Sequence, residues 1–392
     1  MKISRREAML LLGTGAISSV SAHYLGKDLL NSFGQKTPKF LQHLDRKPEI
    51  AALDNDTPIA PPLLGTNDIY WLVTRAYMGM VAACEGTLIM GKPNQISPYR
   101  VSFGGGEIQS LADHPHQVHK FWDRKNNKWA YTTAEGAFQI LIDTWDGLRK
   151  KHDFWYSGEK FSDINQEIAF CYLHDQTGGS QRLMGGVKVL HQHITVSFEA
   201  FKSAVLLDGD QWAALPFSPI GEPTGQSRRP LWQAWTWFNW ALWRQCGYRR
   251  RIIHPINPDN TLSLQQLQNL RSDTMRWRES KKRMHYGEDY AVPVGTPIHA
   301  PENGVISLIG YEEGAGHIVC MVPEGYPELE IISFHCTGEF PFAQGEPVKR
   351  RDVIGYTGKS GIGTGPHWHV EVTVNGVHID PRWYLGMAQW FT

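Results

Sequence analysis

Residue types that bind metals recur in the last third of this chain, at spacings typical of a β-rich domain. His285 and Asp289 stand four residues apart, His335 stands alone, and His367 and His369 flank one tryptophan. Imidazole and carboxylate groups are donors that zinc accepts, and three such ligands leave a fourth tetrahedral position open. The set therefore predicts a catalytic metal site.

The residues around these donors indicate strands. The segment 292–297 is rich in proline, glycine and β-branched residues, so the first two donors are expected on a loop that enters a strand. The segment 366–372 alternates as a strand does, which turns both of its imidazoles to one face and Trp368 to the other. One histidine can then bind the metal while its neighbour takes part in the chemistry.

The C-terminal segment, from about 283 to 385, resembles the lysostaphin-like (LytM-type) zinc endopeptidases, which cut peptidoglycan peptides. The likeness includes motifs at 295–298, 304–306, 345–358, 363–366 and 380–381. Two positions differ from the family pattern. Glu288 takes a usually apolar place, and His335 lacks the tyrosine and leucine that normally flank this histidine.

The resemblance implies a role for each of the five side chains. It implies that His285, Asp289 and His369 hold a Zn²⁺ ion. It also implies that His335 and His367 act on the attacking water and on the developing oxyanion.

A glutamate in the first half of the chain has the surroundings of a general acid. Glu85 ends the apolar run 78–84, and Gly86 follows as a natural helix stop. The negative end of the helix dipole and the apolar neighbours both disfavour ionisation, so this carboxyl group is expected to stay protonated near neutrality. Such a group can protonate a glycosidic oxygen. The alternative is a solvated glutamate that closes a helix.

The region from about 75 to 247 resembles the phage lambda lysozyme family of lytic transglycosylases. The matching motifs lie at 84–87, 104–107, 113–115, 136–139, 212–216 and 225–226. The resemblance implies that Glu85 cleaves between N-acetylmuramic acid and N-acetylglucosamine, while the sugar's own hydroxyl closes an anhydro ring. Gln139 would contact the sugar near the cleaved bond, and its alternative is a helix-capping glutamine. Glu107 and Asp113 are candidates for a second carboxylate, although the family needs none.

The chain has 392 residues, which is enough for two ordinary domains, each with its own core. We predict five segments: an export signal at 1–26, a linker at 27–66, a lysozyme-like domain at 67–247, a connector at 248–282 and a zinc endopeptidase domain at 283–388. The expected fold class is multidomain, with a mainly α (α+β) lysozyme-like domain followed by a mostly antiparallel β metallopeptidase domain.

The first domain is expected to contain helices at 67–84 and 134–151, a third that opens at 161–163, and a small sheet or extended lobe within 96–129. The helix at 230–246 carries five tryptophans around most of its circumference. It is therefore either buried, for example between domains, or rests on a membrane surface.

The N-terminus has the pattern of an export signal. A charged start with Arg5 and Arg6 precedes a short apolar run and small residues at 20–22, and the Ser-Arg-Arg start resembles the twin-arginine type. The run is too short for a comfortable membrane span. The alternative is a basic tail before a buried helix. The expected location is the periplasm or cell envelope.

Composition restricts the partners. Lys and Arg together number 39, as do Asp and Glu, so no global basic field recruits nucleic acid. Peptidoglycan is the expected partner, and the sequence names no envelope protein partner. The five cysteines lack Cys-x-x-Cys spacing. Cys320 and Cys336 lie in successive predicted strands and are either paired or buried free thiols.

The sequence predicts an exported bifunctional peptidoglycan hydrolase that cuts both glycan and peptide and needs Zn²⁺. One alternative is a catalytically impaired wall-binding or hydrolase-activating protein, which the full set of metal donors argues against. The other is an antibacterial toxin with the same chemistry, which the N-terminal export signal argues against.

Overall fold

The computed structural model describes residues 66–88, 95–123, 126–152, 159–190, 193–220, 227–245, 252–363 and 365–385. The predicted export signal and the linker up to residue 65 lie outside the described residues, as do Gly225, Gln226 and Cys246.

Helices dominate the N-terminal region, 66–245. Six of the eight described α-helices lie there, and the last two lie in the C-terminal region. The described α-helices are α1 (Thr66–Glu85), α2 (Ile142–His152), α3 (Asp163–Gln176), α4 (Gly179–Gly185), α5 (Phe198–Asp208), α6 (Leu231–Gln245), α7 (Leu264–Leu270) and α8 (Pro381–Tyr384). Single turns of 3-10 helix lie at Pro98–Arg100 and Glu279–Lys281.

Strands dominate the C-terminal region, 252–385. Twelve of the sixteen described strands lie there, and the first four lie in the N-terminal region. The described strands are β1 (His119–Asp123), β2 (Lys128–Thr132), β3 (Val187–Leu190), β4 (His193–Val196), β5 (Arg271–Asp273), β6 (Arg276–Arg278), β7 (Arg283–His285), β8 (Glu288–Tyr290), β9 (Pro297–His299), β10 (Gly304–Glu312), β11 (Gly316–Pro323), β12 (Leu329–Cys336), β13 (Pro347–Val348), β14 (Val353–Tyr356), β15 (Trp368–Val374) and β16 (Val377–Ile379).

Helix α1 is buried around most of its circumference, and its end is set by glycine. Val73, Tyr77, Met80 and Cys84 recur at three- and four-residue spacing and are all buried. The helix stops at Glu85 because Gly86 adopts the left-handed conformation, with φ +79°. The sequence prediction of a helix that ends at this glutamate is confirmed.

The predicted helix at 134–151 is wrong in its first half, because α2 begins only at Ile142. The preceding residues form a turn in which Gly136 has φ +74° and Gln139 has φ +48°. The side chain of Gln166, on α3, accepts a 2.9 Å hydrogen bond from the N–H of Ala137 inside this turn. A contact between residues distant in sequence therefore overrides the local helical pattern.

The prediction of a small sheet in the extended lobe is confirmed in form. Strands β1 and β2 pair antiparallel as a hairpin, with Trp122 opposite Trp129. The hairpin lies between α1 and α2 in chain order.

The C-terminal region is built on one eight-stranded antiparallel sheet. The strand order is β13-β10-β11-β12-β15-β8-β5, with β16 also paired to β15. Strand β5 belongs to the segment predicted as a connector, yet it pairs with β8. The expected fold class, a helical region followed by an antiparallel β domain, is confirmed.

Helix α6, which carries the tryptophans, lies between the two regions. Trp235 is fully buried, and the ring of Trp240 is 5.3 Å from that of Trp383 on α8. The N–H of Asp380 donates a 3.1 Å hydrogen bond to the hydroxyl of Thr236. The structure therefore favours the packed alternative for this helix. Among the described residues, no helix has the length and apolar character needed to cross a membrane.

Glu288 occupies a buried position on β8 because charged partners surround it. Its side chain lies 3.5 Å from Arg271 and 3.6 Å from Arg382, and its carboxylate accepts from the N–H of Met275 at 3.1 Å. Burial, with the nearby charge of Asp380, raises the pKa of Glu288 to about 8. This residue joins β5, β8 and α8, which explains a carboxylate where an apolar side chain is usual.

Cys320 and Cys336 are buried free thiols. They stand on neighbouring strands but not opposite each other, because Cys320 pairs with Ile332 and Cys336 pairs with His317. The interpretation as free thiols is confirmed for this pair.

Candidate active sites

Three of the predicted donors converge beside strands β8 and β15 of the large sheet. Donor atoms of His285, Asp289 and His369 all lie within 4.8 Å of one another. Asp289 on β8 stands directly opposite His369 on β15, and a two-residue turn after β7 places His285 beside them. The antiparallel register of β8 and β15 therefore assembles the cluster.

Each imidazole of this cluster has one nitrogen held by an outer partner. Nδ1 of His285 is 2.8 Å from the carbonyl oxygen of Thr274, so it carries the proton and donates. Nε2 of His369 is 3.0 Å from a carboxylate oxygen of Glu371. The remaining nitrogens, Nε2 of His285 and Nδ1 of His369, are 3.1 Å apart and face Asp289. This is the outer-shell arrangement that orients metal-binding histidines.

Carboxylates make this centre attractive to positive charge. Burial alone would lower the pKa of His369, but Asp289 at 2.5 Å and Glu371 raise it to about 9. Burial likewise opposes ionisation of Glu371, yet hydrogen bonds from His369 and His378 hold its pKa at about 2. The same balance, between burial and the two histidines, leaves the pKa of Asp289 far below its usual range.

Arg278 fixes the second oxygen of the central carboxylate. Its guanidinium lies 3.2 Å from Oδ2 of Asp289 and also pairs with Asp273 at 2.5 Å. Oδ1 of Asp289 is the oxygen that faces the two histidines. The carboxylate is therefore oriented from behind with one oxygen left toward the cluster.

Two further histidines border the same space. The rings of His335 and His367 lie 4.7 Å apart, and Nε2 of His367 is 3.9 Å from Oδ1 of Asp289. Nδ1 of each ring donates to a main-chain carbonyl at 2.8 Å, that of Ser360 for His335 and that of Gly365 for His367. Burial lowers the pKa of His335. Each ring thus keeps Nε2 for chemistry, as proton acceptor when neutral and donor when charged.

The strand alternation predicted for 366–372 is confirmed, because Trp368 packs on the opposite side of the sheet. Its ring contacts Tyr290 at 5.4 Å and His254 at 5.7 Å, and it is fully buried. His367 and His369 therefore share the face that carries Asp289.

Gly287 leaves room for the ring of His369. A Cβ atom at this position would lie 2.4 Å from the carbonyl oxygen of Val370 and 2.7 Å from Cε1 of His369. The turn between β7 and β8 therefore tolerates no side chain without moving that histidine.

The donor set fits zinc. Two imidazole nitrogens and one carboxylate oxygen are the ligand types of catalytic zinc sites with an open position, and all three have the outer partners that such sites require. The acidic surroundings of His369 also favour a cation at this point.

Sequence reasoning missed the residues that orient the ligands. Thr274 and Arg278 lie in the segment predicted as a connector, and their role depends on strand pairing. Glu371 carried a usable signal, because it stands two residues after His369 and so shares its face of the strand.

Glu85, the predicted general acid, is half-buried at the end of α1. The N–H of Ala214 donates a 3.1 Å hydrogen bond to its Oε1, which fixes the carboxyl group. Arg229 donates to the carbonyl oxygen of Cys84 at 3.3 Å. The structure thus brings the 212–216 motif, distant in sequence, next to the glutamate.

Gln139 lies near this helix end but points its amide at its own turn. Thr87, two residues after Glu85, donates a 2.6 Å hydrogen bond to the carbonyl oxygen of Ala137. Nε2 of Gln139 donates to the carbonyl oxygens of Gly136 and Val101, at 3.1 and 3.3 Å. The side chain braces the turn and caps no helix, and its contact with sugar stays a prediction.

The two candidates for a second carboxylate differ in their surroundings. Asp113 is held by Arg149 and Lys160, at 3.3 and 3.2 Å, and these ion pairs with the N–H of His114 lower its pKa although burial opposes this. Glu107 is exposed. Asp113 therefore has the surroundings of a structural carboxylate.

Two family models match this chain, one in the helical N-terminal region and one in the β-rich C-terminal region. Residues 283–381 match the model of peptidase family M23, and residues 75–241 match the Endolysin family model.

Individual relatives match part of the chain. The chain is 39% identical over 99 residues to the DD-carboxypeptidase/endopeptidase Mpg of Neisseria meningitidis serogroup B, covering 25% of this chain and 22% of the relative. It is 37% identical over 100 residues to the peptidoglycan DD-endopeptidase ShyC of Vibrio cholerae, covering 26% and 22%. The chain thus spans about a fifth of the length of these curated relatives.

Among solved structures, the catalytic domain of lysostaphin from Staphylococcus simulans is 26% identical, and the match covers 32% of this chain and 98% of that chain, with a TM-score of 0.29.

Together with the family matches, the geometry of the site leads to one conclusion. Residues 283–381 form a domain of peptidase family M23, joined in one chain to a lysozyme-like domain of the endolysin type at residues 75–241.

Proposed function

We propose that this protein is an exported bifunctional peptidoglycan hydrolase. Its lysozyme-like domain cuts the glycan strand and its M23 domain cuts peptide stems or cross-links. The observation that carries the proposal is the convergence of His285, Asp289 and His369 with two further histidines on one face of the sheet. The Endolysin match supports the glycan activity.

In the peptidase domain, His285, Asp289 and His369 would hold Zn²⁺. When bound, zinc supplies Lewis-acid polarisation of a carbonyl group and makes water a better nucleophile at neutral pH. His335 and His367 present Nε2 to the same space. A neutral imidazole there accepts the proton of the attacking water, and a protonated one donates to the developing oxyanion or to the departing amine.

In the lysozyme-like domain, Glu85 acts as acid and then as base. Its proton passes to the glycosidic oxygen between N-acetylmuramic acid and N-acetylglucosamine as the bond from the anomeric carbon breaks. The hydroxyl group of the same muramic acid then attacks that carbon and returns its proton to Glu85. An anhydro ring forms, and no water is consumed. The hydrogen bond from Ala214 supports this role by holding the carboxyl group in place.

The names of the relatives support a narrower substrate for the peptidase. Mpg is named as a DD-carboxypeptidase/endopeptidase and ShyC as a peptidoglycan DD-endopeptidase. We therefore propose that this M23 domain opens cross-links between two D-configured residues of neighbouring stems.

We also propose that the chain acts in the periplasm or cell envelope, reached through a twin-arginine-type signal at 1–26. The paired guanidinium groups of Arg5 and Arg6 support this choice. A change of both to lysine should hold the protein in the cytoplasm, whereas unchanged export would indicate another route.

Digestion of purified peptidoglycan sacculi, followed by mass spectrometry, tests both activities at once. The wild-type protein should release fragments with anhydromuramoyl ends and with opened cross-links. Reducing ends in place of anhydro ends would mean that the first domain hydrolyses the bond as a lysozyme does. Intact cross-links in the presence of zinc would contradict the peptidase proposal.

A further inference from the structure

One face of the β1–β2 hairpin exposes large aromatic side chains that no other element covers in the described part of the chain. Trp122 is 42% exposed, Trp129 is 55% exposed and Tyr131 is 66% exposed. Lys120 lies beside them, with its ammonium group 4.3 Å from the centre of the Trp129 ring. These four residues are called the aromatic face below.

The aromatic face is held in a fixed arrangement. Trp122 and Trp129 stand opposite each other across the two strands, with ring centres 5.3 Å apart and an angle of 78° between the rings. The opposite side of the hairpin packs on Phe103, which lies 5.9 Å from Phe121. The rings are therefore presented to solvent by a rigid support, and their exposure is not a consequence of poor packing.

A hydrogen bond between His119 and Glu135 attaches the hairpin to the turn beside the predicted glycan site. His119 lies 2.6 Å from Glu135, which is fully buried, and the hydroxyl of Ser102 donates to the same carboxylate oxygen at 3.3 Å. Glu135 leads directly into the Gly136–Gln139 turn. Because Ala137 in that turn accepts from Thr87, the aromatic face is connected to the helix end that carries Glu85.

The chemistry of the aromatic face selects its ligand. Exposed aromatic rings offer a negative π surface to the weakly positive C–H groups of a pyranose ring. Lys120, which lies beside these rings, suits a polymer that bears carboxylates. The acidic residue of the two strands, Asp123, is buried on the other side and accepts from Asn126. Nothing on the aromatic face repels an acidic glycan.

A bilayer fits the aromatic face less well than a glycan. Proteins that insert a hairpin into a membrane surface do so with apolar residues at the tip. Here the described tip residues, Asn126 and Asn127, are polar and exposed, and the aromatic residues lie along both strands. An elongated ligand that lies across the strands matches this distribution.

We propose that the aromatic face is a binding surface for an N-acetylated glycan strand, next to but separate from the residues that break the glycosidic bond. The inference rests on the proposed function for its choice of ligand. The surface would hold sugars beyond the cleaved bond and keep the enzyme on its polymer.

The test uses the full-length protein with Glu85→Gln, so that no saccharide is cleaved during the measurement. Isothermal titration calorimetry with the hexamer of N-acetylglucosamine gives the dissociation constant. Trp122→Ala together with Trp129→Ala should raise it about tenfold or more, which corresponds to about 1.4 kcal/mol. Replacement of both tryptophans by tyrosine should largely restore binding, because a ring remains at each position.

Trp277→Ala is the matched control, because Trp277 is 50% exposed on a different hairpin. It should leave the dissociation constant unchanged. An equal affinity in the double alanine variant, with an unchanged melting temperature, would overturn the proposal, as would no hexamer binding by the Glu85→Gln parent.

Co-sedimentation with vesicles of phosphatidylethanolamine and phosphatidylglycerol tests the alternative that the aromatic face binds a membrane and not a glycan. Loss of vesicle binding without loss of hexamer binding in the double variant would also overturn the proposal. Failure of the proposed function itself would look different: wild-type protein would release no glycan fragments from sacculi, whatever the tryptophan variants do to hexamer affinity.

Discussion

The candidate site of the M23 domain is built from five side chains on neighbouring strands and turns, whereas the site proposed for the lysozyme-like domain is one carboxyl group at a helix end. In the sheet, β12, β15 and β8 are direct neighbours, and each histidine of the site has an oriented ring. At the helix end, the structural support of Glu85 includes the N–H of Ala214, a main-chain group that is lost only on substitution by proline.

The difference predicts contrasting responses to mutation. A site made of coupled donors should fail when any ligand is lost and weaken when an orienting partner is lost. A site with a single general acid should lose its activity when that residue is replaced, and metal removal should not affect it.

The largest effect is expected for Asp289→Ala. This change removes the anionic ligand that faces both histidines, at 2.5 Å from His369 and 3.3 Å from His285. Zinc content measured by mass spectrometry of the purified protein should fall close to zero, and cross-link cleavage should fall below detection. Glycan cleavage should persist. Full zinc occupancy with normal peptidase activity would refute the ligand assignment.

Glu85→Gln should remove the other activity alone. The variant keeps the shape of the side chain and cannot supply a proton, so release of anhydromuramoyl ends should fall by about 10²- to 10⁴-fold. Cross-link opening should be unchanged. A zinc chelator should do the reverse, and loss of glycan cleavage on chelation would break the contrast between the two sites.

His367→Ala should separate chemistry from metal binding within the M23 site. The ring lies 3.9 Å from Asp289 and is oriented by Gly365, which suits a proton-transfer role. Peptide cleavage should drop about 10²-fold with most of the zinc retained. Zinc loss as large as that of His369→Ala would show that the roles of these two histidines are reversed.

Gly287→Ala should lower zinc affinity by a steric clash that displaces a ligand. The new methyl group would collide with the ring of His369 and with the carbonyl oxygen of Val370. We expect zinc affinity, measured by competition with a chromophoric chelator, to fall by up to about 100-fold. Gly310→Ala is the control, since a Cβ atom there has no neighbour within 4 Å. Equal zinc affinity in both variants would contradict this packing argument.

The smallest effect is expected for Arg278→Ala. Arg278 orients Asp289 from outside the ligand set, so zinc affinity should fall about tenfold. Arg276 pairs with the same Asp273 but has a 59% exposed side chain and is not within ion-pair distance of Asp289, so Arg276→Ala should change little. A similar loss in both variants would indicate that Asp273, and not contact with Asp289, transmits the effect.

Local rules made several features readable from the sequence. Strand alternation turned His367 and His369 to one face because successive side chains in a strand point in opposite directions. Gly86 ended α1, and Ser162 capped α3 by accepting from the N–H of Asn165. Each of these depends on neighbouring residues only.

Other features depended on contacts between residues far apart in sequence. The orienting roles of Thr274 and Arg278 arise because residues predicted as a connector fold against the sheet. The predicted start of α2 failed because Gln166 of α3 binds the turn at Ala137.

The sequence by itself determined which side chains are candidates for the chemistry and which way they face along each strand or helix. The tertiary structure decided which strands became neighbours, which partner oriented each imidazole, and that the hairpin carrying Trp122 and Trp129 is attached next to Glu85. The physical reason is range: dihedral preferences and side-chain periodicity act over a few residues, whereas sheet order and buried ion pairs are set by burial of the whole chain.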